Sequence, residues 1–302
     1  MMLKVIQQPH FVGERVIALG SFDGVHRGHE SLLRTAKRLS GENGAPLRIC
    51  TFNRHPLEVL TPDKPPEMLS SIPEKARRMA FLEADEIELI PFDRQMADME
   101  PEQFLETLRS MVKVKAIVAG WNYSFGRKGR GNAELLTEDG KKHGYQVEIV
   151  PPAKTAEGTV ISSSLIRQML SDGQAEQAAQ LLGYSYTMTG TVHSPKAAKG
   201  ENVLDIQMWK RKALPADGTY SCLLETGTQT YGAMLHTCAT LQPGSFKRAE
   251  IYLLNDRTEE IGRKVRVTLV SLIRKSEGLA GKQLREKLLE DREQARKMFD
   301  MA

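Results

Sequence analysis

The chain has 302 residues, room for two domains of ordinary size, with 40% hydrophobic and 26% charged residues, the balance of a soluble globular protein. No apolar run reaches the roughly 18 residues of a membrane span, and the opening MMLKVIQQPHF lacks a signal-peptide core, so a cytoplasmic protein without membrane contact is expected. A net charge of +4 suits anionic small molecules and is too slight to argue for nucleic acid, while Cys50, Cys222 and Cys238 are too widely spaced for a metal site and read as reduced thiols.

In chain order, the runs RVIALG, LRICTF, EIELIPF, VKAIVAG and YQVEIV predict short strands rich in Ile, Val and Leu. Between them, GHESLLRTAKRLS, IPEKARRMAFLE and EPEQFLETLRSMV carry apolar residues at three- and four-residue steps and predict helices. Strands alternating with helices predict a parallel sheet covered on both faces. After ISSSLIRQMLSDGQAEQAAQLLG the texture changes. YSYTMTGTV, VLDIQMW, GTYSCLLETG, QTYGAMLHTC, RAEIYLLN and KVRVTLVSLIR read as consecutive strands, and GKQLREKLLEDREQARKMF as a closing helix. The expected fold is an α/β domain over 1–183 and a small β-barrel or sandwich with a C-terminal helix over 184–302.

The first strand-to-helix junction, VIALGSFDGVHRGHESLL, carries the strongest chemical signal. Ligands of open α/β sheets bind beyond the carboxyl ends of strands, so Gly20, Ser21, Phe22, Asp23, Gly24 and Gly28 fall on a binding rim. There glycine lets backbone approach a phosphate, and a helix start offers free N–H groups. The spacing fits neither the dinucleotide fingerprint nor the P-loop. Instead His26 and His29, three residues apart, share one side of a first helical turn and can donate to charge developing on a phosphate. A structural helix cap and a metal site are the other readings, the latter without a cysteine or third histidine nearby. Further on, Ser163 and Ser164 open an amphipathic helix with Arg167 one turn later, a phosphate grip or a plain cap with a surface arginine. NYSFGRKGRGN alternates glycines and cations, as a loop over polyphosphate does or as any solvated loop can. Its Tyr123 and Phe125 can cover an aromatic ring or pack in a core.

GSFDGVHRGH followed by an amphipathic helix resembles the His-x-Gly-His signature of the adenylyltransferase superfamily, and in particular the bifunctional riboflavin kinase/FMN adenylyltransferases, the prokaryotic FAD synthetases. TFNRHPLEVL resembles the family's Thr-Phe-x-Pro-His-Pro segment, with Arg54 in place of a proline. GWNYSFGRKGRGN resembles its Gly-x-Asp/Asn-Phe-x-Phe-Gly loop, and ISSSLIR its Ile-Ser-Ser-Thr-x-Ile-Arg signature. The resemblance spans 14–183 and implies a Rossmann-like nucleotidyltransferase domain that moves the adenylyl group of ATP onto FMN. It implies that His26 and His29 contact the ATP phosphates, that Gly20 to Gly24 shape the nucleotide site, and that Asn122 lies near the reacting phosphates. It places Ser163, Ser164 and Arg167 on the triphosphate tail, His55, Pro56 and Phe125 on the flavin side, and Mg2+ on the phosphates with no protein ligand assigned. ATP and FMN are the expected partners, with oligomeric state left open. Transfer to a nicotinate or pantetheine phosphate and a non-catalytic nucleotide-binding regulator are the rival functions.

The second domain resembles the family's riboflavin kinase module, a β-barrel, with Glu250 on the expected base position. Where that module carries Gly-Phe-Pro-Thr-Ala-Asn, this chain reads GENVLDI, with Val203 for the threonine and Asp205 for the asparagine. Valine has no oxygen for a hard cation, and aspartate adds negative charge where ATP phosphates would sit. The turn HSPKAAKG and the segment GAMLHTCATLQPGS depart from the family as well. The expectation is an FMN adenylyltransferase whose kinase activity is weak or absent, a fully bifunctional enzyme being the alternative.

Overall fold

The computed structural model describes residues 4–6, 12–196, 203–227, 229–238, 246–254, 261–276, 278–279 and 281–300. It divides into two compact units, Met1–Pro66 with Lys75–Ser162, and Glu67–Glu74 with Ser163–Ala302.

The elements up to residue 150 are β1 (Lys4–Ile6), β2 (Val12–Leu19), α1 (Arg27–Asn43), β3 (Leu47–Phe52), α2 (Leu57–Leu60), α3 (Ile72–Phe81), β4 (Glu86–Ile90), α4 (Arg94–Asp98), α5 (Pro101–Met111), β5 (Val112–Gly120), α6 (Ala133–His143) and β6 (Gln146–Val150). The strands form one parallel sheet in the order β1-β4-β3-β2-β5-β6. Ile17, Leu19, Ile117 and Ala119 line one face and pack on Phe104, Leu105 and Leu108 of α5. Such near-continuous apolar strands are what a sheet buried on both faces demands. One polar cluster interrupts this. Arg48 is fully buried and bridges Glu86, at 2.7 Å, and Glu88, while Arg15 reaches Glu86 at 2.9 Å. From β2 the chain steps to β3 and β4 on one side, then returns to β5 on the other. The reversal makes β2 and β5 neighbours, with Leu19 opposite Ala119, and such a switch point opens a crevice at the carboxyl edge.

The second unit contains α7 (Ser163–Ser171), α8 (Ala175–Leu182), β7 (Thr187–Lys196), β8 (Val203–Trp209), β9 (Gly218–Thr226), β10 (Gln229–Thr237), β11 (Phe246–Leu253), β12 (Lys264–Lys275) and α9 (Gly281–Asp300). Its strands close in the order β10-β11-β8-β7-β12-β9, so the second domain is a barrel rather than a sandwich. Leu288 and Ala295 of α9 pack with Met234 and Leu254. The compact units do not divide at residue 183. The α7 carbonyl of Leu170 accepts from Ala216, which ties the helices after 162 to the barrel. Residues 67–74 join it as well: Met68 pairs with Lys212, and the buried Lys212 ammonium donates to Leu69 O at 2.6 Å and to Glu74 at 2.7 Å.

Candidate active site

The turn after β2 folds back on itself. Phe22 and Val25 adopt φ of 50° and 39°, and Gly24 79°. For side-chain-bearing residues this left-handed conformation costs of order 1–2 kcal/mol each, so the surrounding structure must enforce it. The Phe22 ring is fully buried and lies over Gly20, where a Cβ would come within 2.9 Å of it. The Ser21 carbonyl accepts two hydrogen bonds, from the Lys75 ammonium at 2.6 Å and from Thr51 Oγ1 at 3.1 Å. Asp23 is buried, and burial pushes the Lys75 ammonium down to about 8, partly opposed by the Asp23 charge.

His26 ends the turn as the N-cap of α1, its Nδ1 accepting the His29 amide at 3.4 Å. A ring whose Nδ1 accepts carries its neutral-form proton on Nε2. His29, one turn on, stacks against it with centroids 3.7 Å apart, and Phe22 meets the His29 ring edge-on at 5.2 Å. The close stack is possible because residue 28 is glycine: a Cβ there would stand 3.1 Å from the His26 ring. His29 Nδ1 is buried with no hydrogen-bond partner among the described residues. Burial, then the charges of His26 and Lys75, hold its pKa well below the ordinary histidine value. Near neutral pH His29 is therefore an uncharged imidazole.

Three loops share this rim because their strands adjoin. Gly20 N donates to Cys50 O of β3, and Leu19 lies opposite Ala119 of β5. Asn122, exposed just past β5, would have its Oδ1 3.5 Å from a Cβ on Gly120. After β3, half-buried His55 accepts from Leu57 N at 3.2 Å, and Pro56 caps α2. Phe125 is not an exposed face. It is 5% exposed and packs between Tyr123 and Phe104, its neighbours in the core. The cations beside it are engaged by Glu100, which pairs with Arg130 at 2.6 Å and Arg127 at 3.5 Å. Ser163 and Ser164 lie in the first turn of α7 with Ser162 before them, and Arg167 follows one turn on, all in the second unit except Ser162. Lys75 escaped the sequence reading, since it sits in an ordinary amphipathic helix 54 positions from the carbonyl it binds.

On the barrel, Val203 and Asp205 are both buried in β8, and Asp205 lies directly opposite Glu250 of β11. Tyr252 donates to Glu250 at 3.0 Å, and Arg248 approaches Asp205 at 4.0 Å. His236 of β10 flanks Glu250 on its other side. Residues 197–202 and 239–245, where further departures from the kinase pattern fall, lie outside the described residues.

Two family models match this chain: FAD synthetase over residues 8–165 and riboflavin kinase over 182–299. The chain belongs to the riboflavin kinase/FMN adenylyltransferase family. It is 32% identical to a Listeria monocytogenes protein named bifunctional riboflavin kinase/FMN adenylyltransferase, over 84% of this chain and 82% of that protein. A second Listeria relative, named FAD synthetase, is 31% identical over 68% of this chain and 79% of its own length. A solved Streptococcus pneumoniae structure titled a macrolide-efflux protein is similar at a TM-score of 0.83 and 28% identity, covering 98% of this chain and 99% of that one. Among the described residues here, no helix is long and apolar enough to cross a membrane. As members of this family do, the chain carries an FAD synthetase domain, a nucleotidyltransferase, followed by a riboflavin kinase fold.

Proposed function

We propose that the chain makes FAD from FMN and ATP and phosphorylates riboflavin weakly or not at all. A phosphate oxygen of FMN attacks the α-phosphorus of ATP, the bond from that phosphorus to the bridging β-oxygen breaks, and pyrophosphate leaves. Transfer of this type asks the protein for positioning and charge stabilisation rather than a nucleophile. The observation carrying the reading is the stacked pair of His26 and His29 at the start of α1, one accepting the other's amide, beside a turn whose glycines let the Phe22 and His26 rings pack closely. His26 Nε2–H and the neutral His29 donate to charge that builds on the phosphates. The Gly20–Gly28 backbone and the α1 N-terminus receive the nucleotide, with Asn122 beside them. By family resemblance, Ser163, Ser164 and Arg167 are assigned to the triphosphate tail, and His55, Pro56 and Phe125 to the flavin side. Magnesium would arrive bound to the ATP phosphates and offset their charge, and no protein ligand is assigned to it.

The kinase half of the proposal rests on Val203 and Asp205. Valine offers no oxygen to a cation, and Asp205 opposite Glu250 sets two carboxylates side by side, which is unfavourable unless offset. The Listeria relative named only for FAD synthesis is in keeping with a member that performs that step alone.

Purified protein supplied with ATP, magnesium and either FMN or riboflavin tests both halves. FAD and pyrophosphate from FMN, with no FMN or FAD from riboflavin, is the expected result. Appreciable FMN or FAD from riboflavin overturns the kinase claim, and pyrophosphate release with nicotinate or pantetheine phosphate but not FMN overturns the acceptor.

A further inference from the structure

A buried ammonium is costly unless something requires its charge. Among the described residues Lys75 and Lys212 are both buried lysines. Lys212 is accounted for by its ion pair with Glu74 and by the Tyr186 ring under it at 4.6 Å. Lys75 instead reaches out of α3 to the most contorted turn of the first unit. Its ammonium donates to Ser21 O, one residue before Phe22, and faces the buried carboxylate of Asp23. Thr51 Oγ1 holds the same carbonyl from β3. A carbonyl pinned from two sides fixes the peptide entering the left-handed residues, and these in turn deliver His26 to the α1 cap.

We infer that Lys75 is a positioning residue for adenylyl transfer, its buried ammonium locking the Ser21–His26 turn and holding His29 in its neutral, stacked state. The inference rests on the proposal that this turn receives ATP. The charged and titratable groups facing Lys75 are Asp23 on the turn and His29 on α1, with His26 stacked on His29. Its charge is one of the causes that keep His29 unprotonated.

Lys75→Met keeps the length of the side chain and removes donor and charge. In the full chain we expect kcat/KM for FMN adenylylation at pH 7 to fall about 10- to 100-fold, the scale of a displaced catalytic geometry, mostly in kcat. Wild-type kcat/KM should decline above about pH 8 as the ammonium loses its proton, a decline the variant lacks. In ring-nitrogen NMR, His29 of the variant should protonate at higher pH than in the wild type, and Lys75→Arg, which keeps donor and charge, should bring that titration and the activity back towards wild type. A variant within twofold of wild type that keeps the alkaline decline overturns the inference. So does a wild-type profile flat between pH 7.5 and 9, whether or not the variant folds. If His29→Ala retains activity, the reading of the turn itself fails, and that result is separate from either of these.

Discussion

The rings of His26 and His29 lie 3.7 Å apart and 19° from parallel, so two imidazoles occupy the space in which two like charges would repel. The stack is tolerable because the second ring is kept neutral by burial and by the neighbouring His26 and Lys75. The second ring thus presents an uncharged donor rather than a fixed cation.

His29→Ala removes one donor and leaves the α1 cap at His26 intact. We expect kcat for FAD formation to drop about 100- to 1000-fold, the usual effect of deleting an aimed donor, with little change in thermal midpoint. Chromatographic measurement of FAD from FMN and ATP checks it.

The lowered pKa of His29 has a stability consequence with a definite sign. The folded state binds its proton less readily than the unfolded chain, so protonation favours unfolding. Urea midpoints should be unaffected by this residue above about pH 6.5, where both states are neutral, and should fall as the pH drops below that. The pH dependence should be smaller in His29→Ala; an identical slope refutes the assignment.

Gly28→Ala should separate activity from stability. Alanine in a helical position gains about 0.5–1 kcal/mol over glycine, yet its Cβ would press on the His26 ring at 3.1 Å. We expect FAD synthesis to fall at least about tenfold with a thermal midpoint no lower than wild type. Calorimetry alongside the kinetic assay tells the two apart.

Arg48→Ala should be among the most destabilising single changes in the first unit, at about 3–5 kcal/mol, because it strands Glu88 in the core. Burial alone would raise Glu86, but hydrogen bonds from Arg15 and Arg48 outweigh it and bring the carboxyl down to about 2. Its contribution is complete above the unfolded carboxyl value of about 4.3 and is lost as pH falls towards 2. Wild-type acid unfolding should therefore be displaced to higher pH in Arg48→Ala.

Glu250→Gln should leave adenylylation of FMN within about twofold of wild type, since Glu250 lies on the barrel and not on the turn proposed here to receive ATP. A loss of tenfold or more in FAD formation would contradict that separation.

Most of the strands were legible because Ile, Val and Leu runs bounded by glycine and proline leave few alternatives. VLDIQMW, for example, corresponds to β8 from end to end. The three residues of β1 were not, since Lys-Val-Ile is too short to show a period. His26, His29 and the glycines announced themselves by local spacing, as features of one turn of chain must. What stayed hidden was tertiary. Nothing in IPEKARRM says that Lys75 finds Ser21, and nothing in NYSFG says that Phe125 turns inward onto Phe104. The same holds for residues 67–74, whose barrel partner Lys212 is 138 positions away from Glu74.

That last segment bears on how the gene can be cut. Each compact unit is assembled from separate stretches of the chain, one being residues 67–74 within the N-terminal half. A fragment ending at 183 would carry Glu74 without Lys212 or Thr189, both of which bind its carboxylate in the whole chain. The complementary fragment would hold Lys212 as a buried cation stripped of its counter-ion. A cut at 183 therefore separates a buried ion pair, and a boundary that keeps residues 67–74 with the barrel avoids that cost.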